Sequence, residues 1–331
     1  MTAPLADRVA AGDRRALAQA ITLVESTRAD HRGEARALLD ELLPRTGGSV
    51  RIGLSGAPGA GKSTFIEALG LHAVDAGHQV AVLAVDPSSS RSGGSVLGDK
   101  TRMSDLGRRA EAFIRPSPSG GTLGGVARRT REALLVCEAA GFDIVLVETV
   151  GVGQSEIAVA DLVDLFVLVA APGGGDELQG IKRGIMELAD VVVVNKADGD
   201  LLPAAQRAAS DLRKALHLVR PKRPGWEVPV LLASSLEGDG VVDAWEAITS
   251  GVDRLRGDGS LDAQRVEQAV AWMWSEVQEE LVGGFRSDPA VRKLLPEIEA
   301  ELRAGSRSPA SAAQALLDAR GNGPRHDQPG Q

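Results

Sequence analysis

Residues 56–64 read Gly-Ala-Pro-Gly-Ala-Gly-Lys-Ser-Thr, between the apolar run Val50-Arg51-Ile52-Gly53-Leu54 and the helix-like stretch Phe65-Ile66-Glu67-Ala68-Leu69. This spacing, set after a strand and before a helix, makes a phosphate-binding turn. Gly56, Gly59 and Gly61 let the backbone turn its N–H groups inward, with Ala57, Pro58 and Ala60 completing the loop. Lys62 is expected to reach the β- and γ-oxygens of a nucleoside triphosphate and Ser63 to offer its hydroxyl to Mg²⁺. Beyond Thr64 runs the helix whose positive end faces the anion.

A second motif concerns the base. Val191-Val192-Val193-Val194 is an unbroken β-branched run, expected as a buried parallel strand, and it ends in Asn195-Lys196-Ala197-Asp198. In N-K-x-D the Asp carboxylate accepts from guanine N1–H and the 2-amino group, while the Lys stem lies along the purine face. Adenine offers neither donor there, so GTP is favoured over ATP, by about 1–3 kcal/mol for a bidentate base contact. Downstream, Val228-Pro229-Val230-Leu231-Leu232 runs into Ala233-Ser234-Ser235-Leu236. Ser234, Ser235 and Leu236 resemble the backbone loop that closes over guanine O6.

Apolar strand candidates at 50–54, 80–85, 112–114, 144–147, 165–169, 191–194 and 228–232 alternate with helical stretches. That order predicts an α/β fold: a P-loop nucleotide-binding domain over 48–255 with a doubly wound, mostly parallel sheet and its ligand at the carboxyl ends of the strands. Before it, residues 1–47 repeat apolar positions at helical spacing (Leu17, Ile21, Val24, then Ala35, Leu38, Leu39, Leu42) and form a helical extension. After it, 256–320 forms a second helical region, in which Val266, Val270, Met273, Val277 and Leu281 lie near one helical face and a further helix falls around 290–304. These helices either pack back on the core or form an arm that dimerises. Residues 321–331 are expected to be disordered.

Among 331 residues the net charge is −8, which supplies no basic face for nucleic acid. The single Cys137 has no disulfide partner within the chain and sits in an apolar stretch, as a core thiol in a reducing compartment would. The five histidines show no ligand-like spacing with it, so no structural zinc is expected. No stretch reads as a signal peptide or a membrane span, which points to a cytoplasmic protein that does not bind membrane.

Two acids end strands on the phosphate side: Asp86 after 80–85 and Glu148 after 144–147. Carboxylates there hold Mg²⁺ directly or through its waters, and the N–H of Gly151 is placed to sense the γ-phosphate. An acid at a strand end also serves as a helix N-cap, the structural alternative. Glu148 stands where most G proteins have Asp, its extra methylene suiting a water-mediated contact. Val152 stands where glutamine usually follows the glycine, with Gln154 two positions later, so unaided hydrolysis is expected to be slow.

The loops between these motifs are distinctive: Ala84-Val85-Asp86-Pro87-Ser88-Ser89-Ser90, then Ser92-Gly93-Gly94-Ser95-Val96-Leu97-Gly98-Asp99-Lys100-Thr101-Arg102-Met103. With Glu148-Thr149-Val150-Gly151-Val152-Gly153-Gln154-Ser155-Glu156 and Pro172-Gly173-Gly174-Gly175-Asp176-Glu177-Leu178-Gln179-Gly180-Ile181-Lys182, the chain resembles the MeaB/ArgK GTPases over roughly residues 10 to 305. These are G-protein chaperones of adenosylcobalamin-dependent methylmalonyl-CoA mutase. The resemblance implies a homodimer formed through the carboxyl-terminal arm, with an acyl-CoA mutase as partner and adenosylcobalamin belonging to that partner. It also implies weak GTP hydrolysis that the mutase stimulates. In the matching positions Asp86, Asp99 and Glu148 organise Mg²⁺ and water, and Gln179 with Lys182 belong to a loop that completes the site when the partner binds. Without the resemblance, Lys182 reads as a solvated helix lysine. The alternatives are a nickel-maturation GTPase, which usually carries Cys or His clusters absent from this sequence, and a P-loop kinase of a transport system, against which N-K-x-D speaks.

Overall fold

The structure is a computed structural model that describes residues 3–85, 103–116, 123–149, 155–173, 183–223 and 225–321. Asp86, Asp99, Gly151, Gln179, Lys182 and the tail 322–331 lie outside the described residues.

Seven strands form one sheet: β1 (Val50–Ser55), β2 (Val80–Val85), β3 (Ala112–Arg115), β4 (Ile144–Thr149), β5 (Leu165–Ala170), β6 (Val191–Val194) and β7 (Val230–Leu232). Their order is β3-β2-β4-β1-β5-β6-β7, with every adjacent pair parallel. β1, β2, β4, β5 and β6 are buried at every residue, which is why they read as continuous apolar runs rather than alternating ones. The connection from β1 runs past β4 to β2 on one side, and the connection from β4 crosses β1 to β5 on the other, so the strand order reverses beside β1 and a crevice opens at its carboxyl end. β7 starts two residues later than the sequence pattern predicts. Pro229 gives its carbonyl to Val192 N–H but has no N–H of its own, and the ladder proper begins at Val230.

Twelve α-helices are present among the described residues. On one face of the sheet α4 (Lys62–Asp75) and α9 (Val241–Gly257) bury Phe65, Ile66, Leu69, Ile248, Val252 and Leu255 against Ile52, Leu54, Val82 and Leu146. Under the β5–β7 end, α8 (Leu202–His217) packs Ala205, Ala208, Ala209 and Leu212 against Val192 and Val194. α1 (Leu5–Ala10), α2 (Arg14–Val24) and α3 (Ala29–Leu42) pack with one another and with α5 (Leu123–Ala139); α6 (Ser155–Ala160) and α7 (Arg183–Met186) are short. α2 is capped by Asp13, whose carboxylate accepts from Arg15 and Ala16 N–H at 2.8 and 3.1 Å. It lies beside the outer edge of β3: Arg14 donates to the carbonyls of Ala110 and Ala112, and Arg115 pairs with Glu25 just past the helix end. A guarded edge cannot template pairing with another chain.

Arg51 breaks the apolar run of β1, yet it is only 4% exposed. Its guanidinium forks onto Glu138 at 2.8 and 3.0 Å, and Glu138 also accepts from Ser49 and from Gly47 N–H. Beside it, the fully buried Asp164 accepts from Arg51 N–H and from the guanidinium of Arg265, at 2.8 and 2.7 Å. Burial pushes the Glu138 carboxyl up, but Arg51 and the Ser49 and Gly47 donors outweigh it and hold the group below its ordinary value.

The described residues form two compact units, one up to residue 269 and one from residue 270. α10 (Ser260–Ser287) begins in the first, where Arg265, Gln264 and Gln268 bond to Asp164 and to the Val163 carbonyl. The second contains α11 (Pro289–Arg303), capped by Asp288, and α12 (Pro309–Gly321) packed against it. The sequence pattern names no separate helix at α12, whose alanine-rich face carries little period. Along α10, Val266, Val270, Met273, Val277 and Leu281 all stand exposed.

Candidate functional site

The phosphate loop has the geometry that its glycines require. A Cβ at Gly56 would stand 1.9 Å from the Val169 carbonyl oxygen. Gly59 and Gly61 hold φ values of +83° and +82°, in the left-handed region, and a Cβ on Gly61 would come within 2.5 Å of the Asn195 amide nitrogen. α4 starts at Lys62 with no side-chain cap, so its leading N–H groups face the loop mouth as an anion site does. Lys62 is 8% exposed, and its ammonium donates to the carbonyls of Gly56 and Ala57 at 2.8 and 3.2 Å. Its charge is thereby held over the same loop.

Asn195 joins this loop to the base motif. Its amide nitrogen donates to the Ala60 and Gly61 carbonyls at 3.0 and 3.3 Å, while its oxygen accepts from Ser235 N–H and Oγ at 3.1 and 2.6 Å. Asn195 is 1% exposed, with both ends of the amide used. Lys196, directly after it, has φ +58°, the only positive value at a non-glycine among the described residues. That strain at a binding loop fits a residue whose direction matters more than its backbone preference. Asp198 accepts from the Ser234 hydroxyl at 2.5 Å, which fixes one carboxylate oxygen. A pocket of about 170 Å³ lies among Gly61, Thr64, Lys196, Asp198, Leu201 and Leu236. It is of base size, and Gly61 and Thr64 line it on the phosphate-loop side. A cavity of about 750 Å³ lies between α8 and β7 and shares none of these residues, so size alone does not mark the chemistry. The hydroxyl of Ser234 acts on Asp198, a role the sequence pattern does not reveal, and Leu201 is a lining residue no motif names.

At the carboxyl end of β4, the Glu148 carboxylate is 4% exposed and accepts from Ser63 Oγ at 2.8 Å. A hydroxyl and a carboxylate in contact beside the phosphate loop are hard oxygen donors of the kind Mg²⁺ takes, so these residues fit the metal. Of the other expected ligands and catalytic groups, Asp86, Asp99, Gly151, Gln179 and Lys182 lie outside the described residues. Among the described residues no group of three or more His, Cys, Asp or Glu is gathered to hold a metal ion. Cys137 is buried in the core, and burial pushes its thiol up, away from reactivity. No described helix is long and apolar enough to cross a membrane.

Comparison with known proteins agrees with this geometry. Residues 17–290 match the family described as methylmalonyl Co-A mutase-associated GTPase MeaB. A Caulobacter vibrioides protein named as a GTPase is 57% identical over 96% of this chain and 97% of its own. GTPase ArgK of Escherichia coli is 50% identical over 83% of each chain. The mouse methylmalonic aciduria type A homolog, a mitochondrial protein, is 49% identical over 93% of this chain and 77% of its own. Among solved structures, one titled LAO/AO transport system kinase superposes with a TM-score of 0.74 at 38% identity, covering 95% of both chains. With a P-loop fold and relatives of this similarity, the chain belongs to the MeaB family of GTPases.

Proposed function

We propose that the protein is a guanine-nucleotide switch that chaperones an adenosylcobalamin-dependent acyl-CoA mutase, with methylmalonyl-CoA mutase the leading candidate. GTP binding and hydrolysis would be coupled to cofactor loading and protection of that enzyme. The observation that carries the nucleotide half is Asn195, which unites the phosphate loop and the Ser235 loop around one base-sized pocket. The partner half is supported by the family's description and by the mouse relative's name.

In this reading the backbone N–H groups of residues 56–64 cradle the β-phosphate, and Lys62 exchanges its two loop carbonyls for β/γ oxygens. Asp198, oriented by Ser234, accepts from guanine, Lys196 covers the purine face, and Ser235 and Leu236 close over it. Bound Mg²⁺ would supply positive charge against the γ-phosphate. Ser63 and Glu148 would hold it, with Asp86, Asp99 and the N–H of Gly151 completing the metal and water site. Gln179 and Lys182 act when the partner arrives, Lys182 supplying the cation that an arginine finger otherwise brings, an effect of up to ~10⁵ in rate. The exposed apolar stripe of α10 supports association of two copies through the region 256–320, and cytoplasmic residence follows from the same reading.

The test is GTP turnover with and without purified methylmalonyl-CoA mutase. Stimulation by the mutase that is lost in Lys182→Ala is the expected outcome; an unstimulated wild type, or a variant stimulated as well as wild type, refutes the scheme. Asp198→Asn tests the base contact separately. An amide offers one donor and one acceptor, which suits xanthine, so preference should move from guanosine toward xanthosine nucleotides by ~10-fold or more.

A further inference from the structure

We propose that Thr149 is a positioning residue for the metal-facing end of β4: its hydroxyl bond to Ser55 holds Glu148 in place beside the phosphate loop. The proposal rests on the reading of Ser63 and Glu148 as magnesium ligands.

β1 and β4 run parallel, with Leu54 level with Glu148. Side chains alternate along a strand, so Leu54 and Glu148 share one face of the sheet while Ser55 and Thr149 share the other. The packing agrees: Leu54 joins Phe65 of α4 in the core, and Glu148 meets Ser63 of α4. On the opposite face a Cβ at Gly53 would meet Val159, Val163 and Phe166. There Thr149 Oγ1 donates to Ser55 Oγ at 2.8 Å, with the Leu54 carbonyl oxygen at 3.5 Å. Both residues are 0% exposed.

β4 is otherwise Ile-Val-Leu-Val before Glu148, and packing alone would be served by valine, the isostere of threonine. The two buried hydroxyls satisfy each other, and deleting one removes the better partner of the other. Their position gives the pair a use. Ser55 is the residue before Gly56, whose carbonyl receives Lys62, and Thr149 is the residue after Glu148. The end of β4 is thus tied to the base of the phosphate loop from both faces, by Glu148–Ser63 on one and Thr149–Ser55 on the other. When the Ser63 oxygen turns to a metal, the first tie is rearranged. The second lies across the sheet from that exchange and keeps the strand end in register.

The experiment measures the affinity of fluorescent GDP and GTP analogues in EDTA and in magnesium, with thermal unfolding of each variant alongside. Thr149→Val keeps the volume and deletes the hydroxyl. It should reduce the magnesium-dependent gain in GTP affinity by ~10-fold, the scale of one buried hydrogen bond, and change affinity in EDTA by less than ~2-fold. Thr149→Ser should restore the gain. Ser55→Ala should match Thr149→Val, and the double variant should be no worse than the worse single one. Equal losses with and without metal, failure of serine to restore, or an additive double variant overturns the proposal. A wild type with no magnesium-dependent gain would instead overturn the reading of Ser63 and Glu148 on which it stands.

Discussion

The two ends of β1 place buried charges in very different company. At the amino end, Arg51, Glu138, Asp164 and Arg265 satisfy one another through at least one forked ion pair and several backbone groups. At the carboxyl end, Lys62 is held by two carbonyls and Glu148 accepts from a serine hydroxyl. A buried charge is costly unless paired, so the first cluster is complete as folded. In the second, the loop carbonyls on Lys62 and the Ser63 hydroxyl on Glu148 are neutral contacts of the kind that a phosphate or a metal can replace. The same strand therefore ends in a forked ion-pair cluster on one side and beside the phosphate loop on the other.

Three measurements sharpen or break that contrast. The largest effect is expected for Glu138→Ala, which strands Arg51 in the core. Denaturant unfolding should show a loss of about 3–5 kcal/mol, while nucleotide affinity of the folded protein stays the same. A large affinity loss would mean the two ends are not independent. Next, Lys62→Ala should weaken GTP binding by ~100-fold, near the upper range for a hydrogen bond to a charged group, with the nucleotide-free protein losing less stability than Glu138→Ala does. A strongly destabilised Lys62→Ala would make the lysine a structural charge like Arg51.

The smallest effect is in the pH dependence. Glu138 titrates below its ordinary 4.5 in the folded state, so its contribution is fully present above that value and is lost as pH falls through the folded-state value. The stability of wild type should therefore fall on acidification below pH 4.5 more steeply than that of Glu138→Gln. Asp161, pushed up by burial, works in the opposite sense: it opposes folding at neutral pH and ceases to do so as it protonates. A wild-type curve as flat as that of the variant would show that Arg51 does not favour the ionised carboxylate.

What could be read from the sequence follows from how local each signal is. The phosphate loop and N-K-x-D are contiguous, with backbone demands written into Gly56, Gly59 and Gly61, and both motifs take the expected places at strand ends. Buried parallel strands announce themselves by unbroken apolar runs, and the single shortened strand traces to Pro229. The amino-end cluster was not legible, because Arg51 meets Glu138 across 87 residues and Asp164 across 113, and nothing in the neighbourhood of an arginine within a strand names its partner. The Ser234–Asp198 and Thr149–Ser55 contacts were hidden for the same reason. Each is a hydroxyl whose use depends on which strand end is brought beside it.

The single amide of Asn195 has a consequence for how such a chain diversifies. It meets Gly61 from 134 residues away, so surface loops within that interval can lengthen or shorten provided the sheet still brings the two ends together. Base selection is thereby insulated from the surfaces that lie in that interval. Lineages descended from a common ancestor can thus rework those loops without relearning which nucleotide to obey.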